Sequence, residues 1–154
     1  MNRIKKCGRV IVDADACPQK AKHIIVTLAK KYCTEVIMVA SFNHNLVGEF
    51  EVVVVGNEPE AADLTVINLT KKGDIVVTQD WGLAAVLLGK GVHVVSPHGK
   101  IYCEEKMDFL LEQRHIKAKI RRSGGKTKGP SARTKEDDEH FSRALEELLL
   151  KSSS

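Results

Sequence analysis

No apolar run in the 154 residues is longer than Leu83 to Leu88, six residues against the ~20 that cross a bilayer as a helix. The sequence therefore offers no transmembrane helix and no membrane partner. Behind the basic start Met1-Asn2-Arg3-Ile4-Lys5-Lys6, only Val10-Ile11-Val12 follows before Asp13, too short for the apolar stretch of a signal peptide. Cytoplasmic residence is the expectation. The four cysteines, Cys7, Cys17, Cys33 and Cys103, include no C-x-x-C pair, which argues against structural zinc and, in a reducing compartment, predicts free thiols. The turn after the first apolar strand lacks the glycines that let a dinucleotide pyrophosphate approach a helix N-terminus. There is no internal repeat. Acidic residues are missing altogether from Arg114 to Lys135, which holds Arg114, Lys117, Lys119, Arg121, Arg122, Lys126, Lys128, Arg133 and Lys135. The remainder, 24 basic residues less those nine against 20 acidic ones, is net acidic. An acidic body carrying a basic segment points to a polyanionic partner.

What is present fits one globular domain: 43% hydrophobic and 29% charged residues, on a length that buries roughly 68–70% of the unfolded surface. Val10 to Val12 reads as a strand ending in Asp13-Ala14-Asp15. A helix then begins near Pro18, with Ala21, Ile24, Ile25, Leu28, Ala29 and Tyr32 on one stripe. Glu35–Ala40 and Glu51–Val55 predict two more strands, with Ser41–Phe50 a loop between them. Ala61–Lys72 predicts a helix closed by Gly73, Asp74–Thr78 a strand, Leu83–Lys90 a helix ended by Gly91, and Val92–Val95 a fifth strand. The alternation predicts an α/β fold: a mainly parallel sheet of about five strands with helices on both faces, plus C-terminal helices. Residues 9–116 form the expected core. Within them Glu104–Ile116 predicts a helix. The stretch 117–133 reads as a basic, Gly-rich loop, and 134–151 as a C-terminal helix with Phe141, Leu145, Leu148 and Leu149 on the face that must dock.

In an open parallel sheet, ligands bind beyond the carboxyl ends of the strands. Asp13 and Asp15 follow the first strand, Asp80 follows the fourth, and Glu60 and Asp63 open the helix after the third, so all five carboxylates belong to that edge. Asp74 precedes its strand and belongs to the other. If the first and fourth strands are neighbours, the five converge. Two unit charges ~4 Å apart at an effective dielectric of ~20 repel by about 4 kcal/mol, while a helix N-terminus returns only ~0.3–1 kcal/mol. Such a cluster calls for a divalent cation, and hard carboxylate oxygens select Mg²⁺ or Mn²⁺. Helix capping is the competing reading for Asp15 and Glu60; the strand-end positions of Asp13 and Asp80 are not explained by it. Cys17 is disfavoured as a nucleophile beside two aspartates, His23 falls on the solvated side of its helix, Trp81 reads equally as core or as a stacking platform, and His98 is placed to touch substrate.

Asp13-Ala14-Asp15-Ala16-Cys17-Pro18, Ala62-Asp63, Gly73-Asp74-Ile75-Val76-Val77-Thr78-Gln79-Asp80 with Leu83-Ala84-Ala85, and Ser96-Pro97-His98-Gly99-Lys100-Ile101-Tyr102 together closely resemble the YaiI/YqxD family of bacterial proteins, from about residue 9 to residue 149. That family commonly has Arg where this chain has His98 and Gly where it has Lys128. More widely, an aspartate closing the first strand, an acidic pair opening a middle helix, and Thr78-x-Asp80-x-x-Leu83-Ala84 resemble PIN-like, flap-nuclease-like domains of Rossmannoid architecture. That resemblance implies a metal-dependent nuclease. Asp13, Glu60, Asp63 and Asp80 would then be ligands of Mg²⁺ or Mn²⁺, with Asp13, Asp15 and Asp80 the catalytic acids and Thr78 a hydroxyl behind the ligands. The implied partner is nucleic acid, RNA ahead of DNA, held by His98, Lys117, Lys119, Arg121, Arg122, Lys126 and Lys128. The alternatives are a nucleic-acid-binding or regulatory protein that keeps the fold without catalysis, and a haloacid-dehalogenase-like phosphatase using Asp13 and Asp15.

Overall fold

The computed structural model describes residues 8–41, 48, 50–56, 58, 60–104 and 132–152. Short β-branched runs make the strands β1 (Val10–Asp13), β2 (Val36–Ala40), β3 (Glu51–Val54), β4 (Ile75–Val77), β5 (His93–Val95) and β6 (Ile101–Tyr102). They join one sheet in the order β3-β2-β1-β4-β5-β6. The first five are parallel, and β6 lies antiparallel on β5. The expected α/β architecture is therefore present, with one strand more than the apolar runs indicate. Its two residues are too few to show a periodicity of their own.

Successive strand residues face opposite ways, and the sheet uses both faces. Val10, Val12, Met38, Ile75 and Val77 pack beneath α1 (Gln19–Lys31) and α4 (Lys135–Ser152). Ile11, Ile37, Val39, Val76 and Val94 pack beneath α2 (Ala61–Leu69) and α3 (Trp81–Gly89). Phe141, Leu145, Leu148 and Leu149 are buried on α4, as the periodicity requires. At roughly 1.5–3 kcal/mol for each fully buried side chain, this face supplies the stability an isolated helix of that length lacks. A polar clasp adds to it: Lys31 Nζ (2.8 Å) and Tyr32 Oη (2.5 Å) both donate to Glu146 Oε2.

Two helix boundaries differ from the periodicity. α2 stops at Leu69, not Lys72, because Thr70 takes an extended backbone (ψ 147°) and the Asp74 carboxylate draws the Lys71 N–H (2.8 Å) into a turn. α3 begins at Trp81, two residues before the expected Leu83, because Asp80 caps it. The helix expected from 104 to 116 lies, beyond Glu104, outside the described residues.

Asp74 holds the amino edge of the sheet. It is 4% exposed and accepts from the Arg9 N–H (3.0 Å), Arg9 Nη2 (3.2 Å) and the Lys71 N–H. Among the described residues no helix is long and apolar enough to cross a membrane.

Candidate functional site at the carboxyl edge of the sheet

β1 and β4 are neighbours, with Val10, Ile11 and Val12 paired to Ile75, Val76 and Val77. The sheet's connections run outward in opposite directions from this pair, which opens a crevice at their carboxyl ends. Asp13 ends β1 at the mouth of that crevice. The chain then tightens into a single 3₁₀ turn, Ala14–Ala16, which keeps Asp15 on the same edge. Asp13 Oδ2 accepts from the Thr78 hydroxyl (3.0 Å), and the same Thr78 oxygen accepts from the Asp80 N–H (3.1 Å). A buried threonine thus ties the ends of β1 and β4 together. Tyr102, which the sequence did not single out, closes the far side. Its hydroxyl donates to the Gln79 carbonyl (3.4 Å), and burial together with the charge of Asp80 raises its pKa.

The acids act on one another. Burial raises the pKa of Asp13 most, the Thr78 hydrogen bond opposes it, and Asp63, Asp15 and Asp80 each raise it further. Asp63 is raised by burial, then by the charge of Asp80 and by hydrogen-bond contact with that carboxyl, then by Glu60. Neighbouring like charges favour the protonated form of each carboxyl, or a cation beside it. Among the described residues no basic side chain is a cause of the shift of Asp13 or Asp63, and all five expected acids belong to one electrostatic group.

Their backbone roles reverse the capping expectation. Asp80 is the cap: its Oδ1 accepts from the Gly82 N–H (2.9 Å) and the Leu83 N–H (3.1 Å). Asp15 stands at no N-cap position of an α-helix; both of its oxygens accept from the Ser41 N–H beyond β2 (3.2 and 3.0 Å). Glu60 also makes no capping bond and sits in the left-handed region at φ 69°, a conformation that costs a non-glycine residue about 1–3 kcal/mol.

His98 stands exposed on the turn after β5. Its N–H donates to Ser96 Oγ (3.2 Å), and its charge acts on Asp137 of α4 but not on Asp13 or Asp63. Gly99 lets this turn lie against α4: it sits at φ 95°, and a Cβ there would come 2.6 Å from the His140 carbonyl carbon. Arg133, unremarked among its basic neighbours in the sequence, bolts the same junction, donating to Asp138 Oδ1 and to the Pro97 carbonyl at 2.6 Å each. Lys117, Lys119, Arg121, Arg122, Lys126 and Lys128 lie outside the described residues. Cys17 is buried, which pushes its thiol up to about 12.

Oxygen donors in mutual repulsion suit a hard divalent cation. Among the described residues, however, no three His, Cys, Asp or Glu side chains stand close enough together to enclose one. Three of the five acids already spend oxygens on the protein: Asp13 one, on Thr78, Asp80 one, on the α3 N-terminus, and Asp15 both, on the Ser41 N–H.

The family model described as Uncharacterized BCR, YaiI/YqxD family, matches residues 11–151. A UPF0178 protein of Heliobacterium modesticaldum is 47% identical over 141 residues, 92% of this chain and 96% of that protein. One of Alkaliphilus metalliredigens is 44% identical over 145 residues, 93% and 92% of the two chains. One of Listeria monocytogenes is 46% identical over 144 residues, 92% and 95%. No solved structure matches the chain significantly.

Proposed function

We propose that this chain, which belongs to the YaiI/YqxD family, is a PIN-like, metal-dependent nuclease that hydrolyses phosphodiester bonds in RNA or DNA. The observation that supports the reading is the bridge from Asp13 through Thr78 to Asp80 across the ends of β1 and β4, beside acids whose charges raise Asp13 and Asp63. At neutral pH a divalent cation would relieve the mutual repulsion of these carboxylates. Asp13, Asp63 and Asp80, with Glu60, would hold Mg²⁺ or Mn²⁺; such ions, when bound, lower the pKa of a water and stabilise a leaving oxygen. Thr78 orients Asp13 by fixing one of its oxygens. The α3 N-terminus does the same for Asp80. Asp15, tied to Ser41, steadies the β2 end of the crevice and adds its charge.

A second reading has its own observation: Asp80 and Asp15 are engaged in structural hydrogen bonds, as suits a nucleic-acid-binding protein that keeps the fold without catalysis. The phosphatase alternative draws least support, because Gly73-Asp74 serves the amino edge.

The test incubates the protein with single-stranded RNA, single-stranded DNA and a small phosphate monoester in Mn²⁺ and in EDTA. Cleavage of either polymer in Mn²⁺ alone, lost in Asp13→Asn, is the expected result. Monoester turnover would transfer the reading to a phosphatase, and inertness toward all three would favour the binding protein.

A further inference from the structure

α1 carries Lys20, Lys22, His23, Lys30 and Lys31 and not one acid in its 13 residues. A solvated helix usually interleaves both signs, since acid and base four residues apart stabilise it. The N-terminal half of this helix begins at the carboxyl edge, directly after the turn that carries Asp13 and Asp15. Cys17 marks how close the cations come to the acids: Lys22, Arg133 and Asp13 all act electrostatically on its thiol. Between α1 and α4 runs a groove of about 610 Å³ that holds Lys20, His23 and Ile24 on one wall and Lys135, Asp138 and Glu139 on the other. Arg133 already pairs with Asp138 at 2.6 Å, so the groove's uncompensated charge is the lysines against Glu139. Pro18, at the N-cap of α1, offers no side-chain acceptor, and the first turn holds no acid. No N-cap side chain closes this end of the helix.

We propose that the N-terminal half of α1, with Lys20 on one wall of this groove, Lys135 on the other, and Lys22 beside Cys17 at the carboxylate turn, is a track for the phosphate backbone of a single-stranded nucleic acid leading to the carboxylate edge. The track deepens the nuclease reading by assigning the surface that delivers its substrate, and its occupant is the one that reading requires. The cations sit beside the acids, not among them, so the flanking phosphates of a polyanion would be neutralised on α1 while the next one reaches the crevice.

Fluorescence anisotropy of a labelled single-stranded RNA in EDTA, where nothing is cleaved, reads the track directly. Each phosphate neutralised on a single strand contributes about 0.7 to the slope of log K against log salt. Lys20→Gln/Lys22→Gln should therefore flatten the slope by about 1.4, while Lys71→Gln/Lys72→Gln, which removes the same charge at the amino edge, should leave it unchanged. Glu139→Gln should tighten binding. Equal slopes in wild type and Lys20→Gln/Lys22→Gln, or equal losses in the two double variants, would overturn the track. So would no binding by the wild type at all. The two readings fail separately: the slope contrast without Mn²⁺-dependent cleavage keeps the track and removes the nuclease, whereas cleavage without the contrast keeps the nuclease and removes the track.

Discussion

Replacing Asp13 by Asn should make the metal-free protein more stable and the metal-loaded protein less so. Asparagine keeps the shape and an oxygen to accept from Thr78 Oγ1 (3.0 Å in the wild type), so what is lost is the charge. Like charges ~4 Å apart at an effective dielectric of ~20 repel by about 4 kcal/mol. Solvent at the mouth of the crevice screens much of that, leaving a gain of about 1–2 kcal/mol in EDTA. In Mn²⁺ at a hundred times its Kd, the wild type should gain about 2.7 kcal/mol, or roughly 5–11 °C in Tm at ~2–4 °C per kcal/mol for a chain of this size. Asp13→Asn should gain almost nothing. Thermal unfolding of both proteins in EDTA and in Mn²⁺ should therefore show the order of stability invert. The pH dependence has a fixed sign. Asp13 and Asp63 titrate above the ordinary carboxylate value when folded, so in the window between unfolded and folded pKa the native state binds more protons. Stability from these groups is full below that window and falls as pH rises through it. Asp13→Asn should flatten that fall. A variant destabilised in EDTA that still responds fully to Mn²⁺ would show that Asp13 is a structural carboxylate and refute the reasoning.

Asp80 separates its two roles by substitution: Asp80→Asn, which can still accept from the Gly82 and Leu83 N–H groups, should hold Tm within a degree or two but abolish the response to Mn²⁺, whereas Asp80→Ala should also lose about 0.5–2 kcal/mol in a denaturant titration. Asp74→Ala should cost about 3–5 kcal/mol, because it strands the Arg9 guanidinium and two N–H groups at the amino edge, while calorimetry with Asp74→Asn shows unchanged Mn²⁺ affinity. With a thiol pushed from 9.0 to about 12, Cys17 should be alkylated at pH 8.5 at least ~10³-fold more slowly than exposed Cys33, by peptide mass spectrometry of the native protein; comparable rates would contradict its burial.

The sheet and its helices were legible because their signals are local and redundant. The stripe from Ala21 to Tyr32 and the unbroken runs Val36–Ala40 and Ile75–Val77 each repeat one instruction several times. β6 was not legible, since Ile101-Tyr102 is held by its antiparallel pairing with Val94 and Val95, a partner no local pattern names. The acids of the site were legible through topology: once a strand is known to end at Asp13, the edge it serves follows. Their hydrogen bonds were not, and Asp80, not Asp15, is the cap, because which carboxylate meets the first free N–H groups of a helix depends on a backbone turn of a few degrees. Arg133 and Tyr102 escaped notice for a related reason. Each acts on elements distant in sequence, Arg133 on Pro97 and Tyr102 on Gln79, and only the folded chain brings them there.

The docking of α4 also bears on how the molecule comes into being on the ribosome. Among the described elements every strand precedes it in the chain, so when the sheet first collapses, α1 is the one described helix over Val10, Val12, Met38 and Val77, and Arg133 still lacks Asp138. A nascent chain lacking its last 18 described residues would present that bare apolar face to its neighbours, the condition under which partly made proteins aggregate. The junction that Arg133 makes with the Pro97 carbonyl and Asp138 would be set last, once α4 has docked.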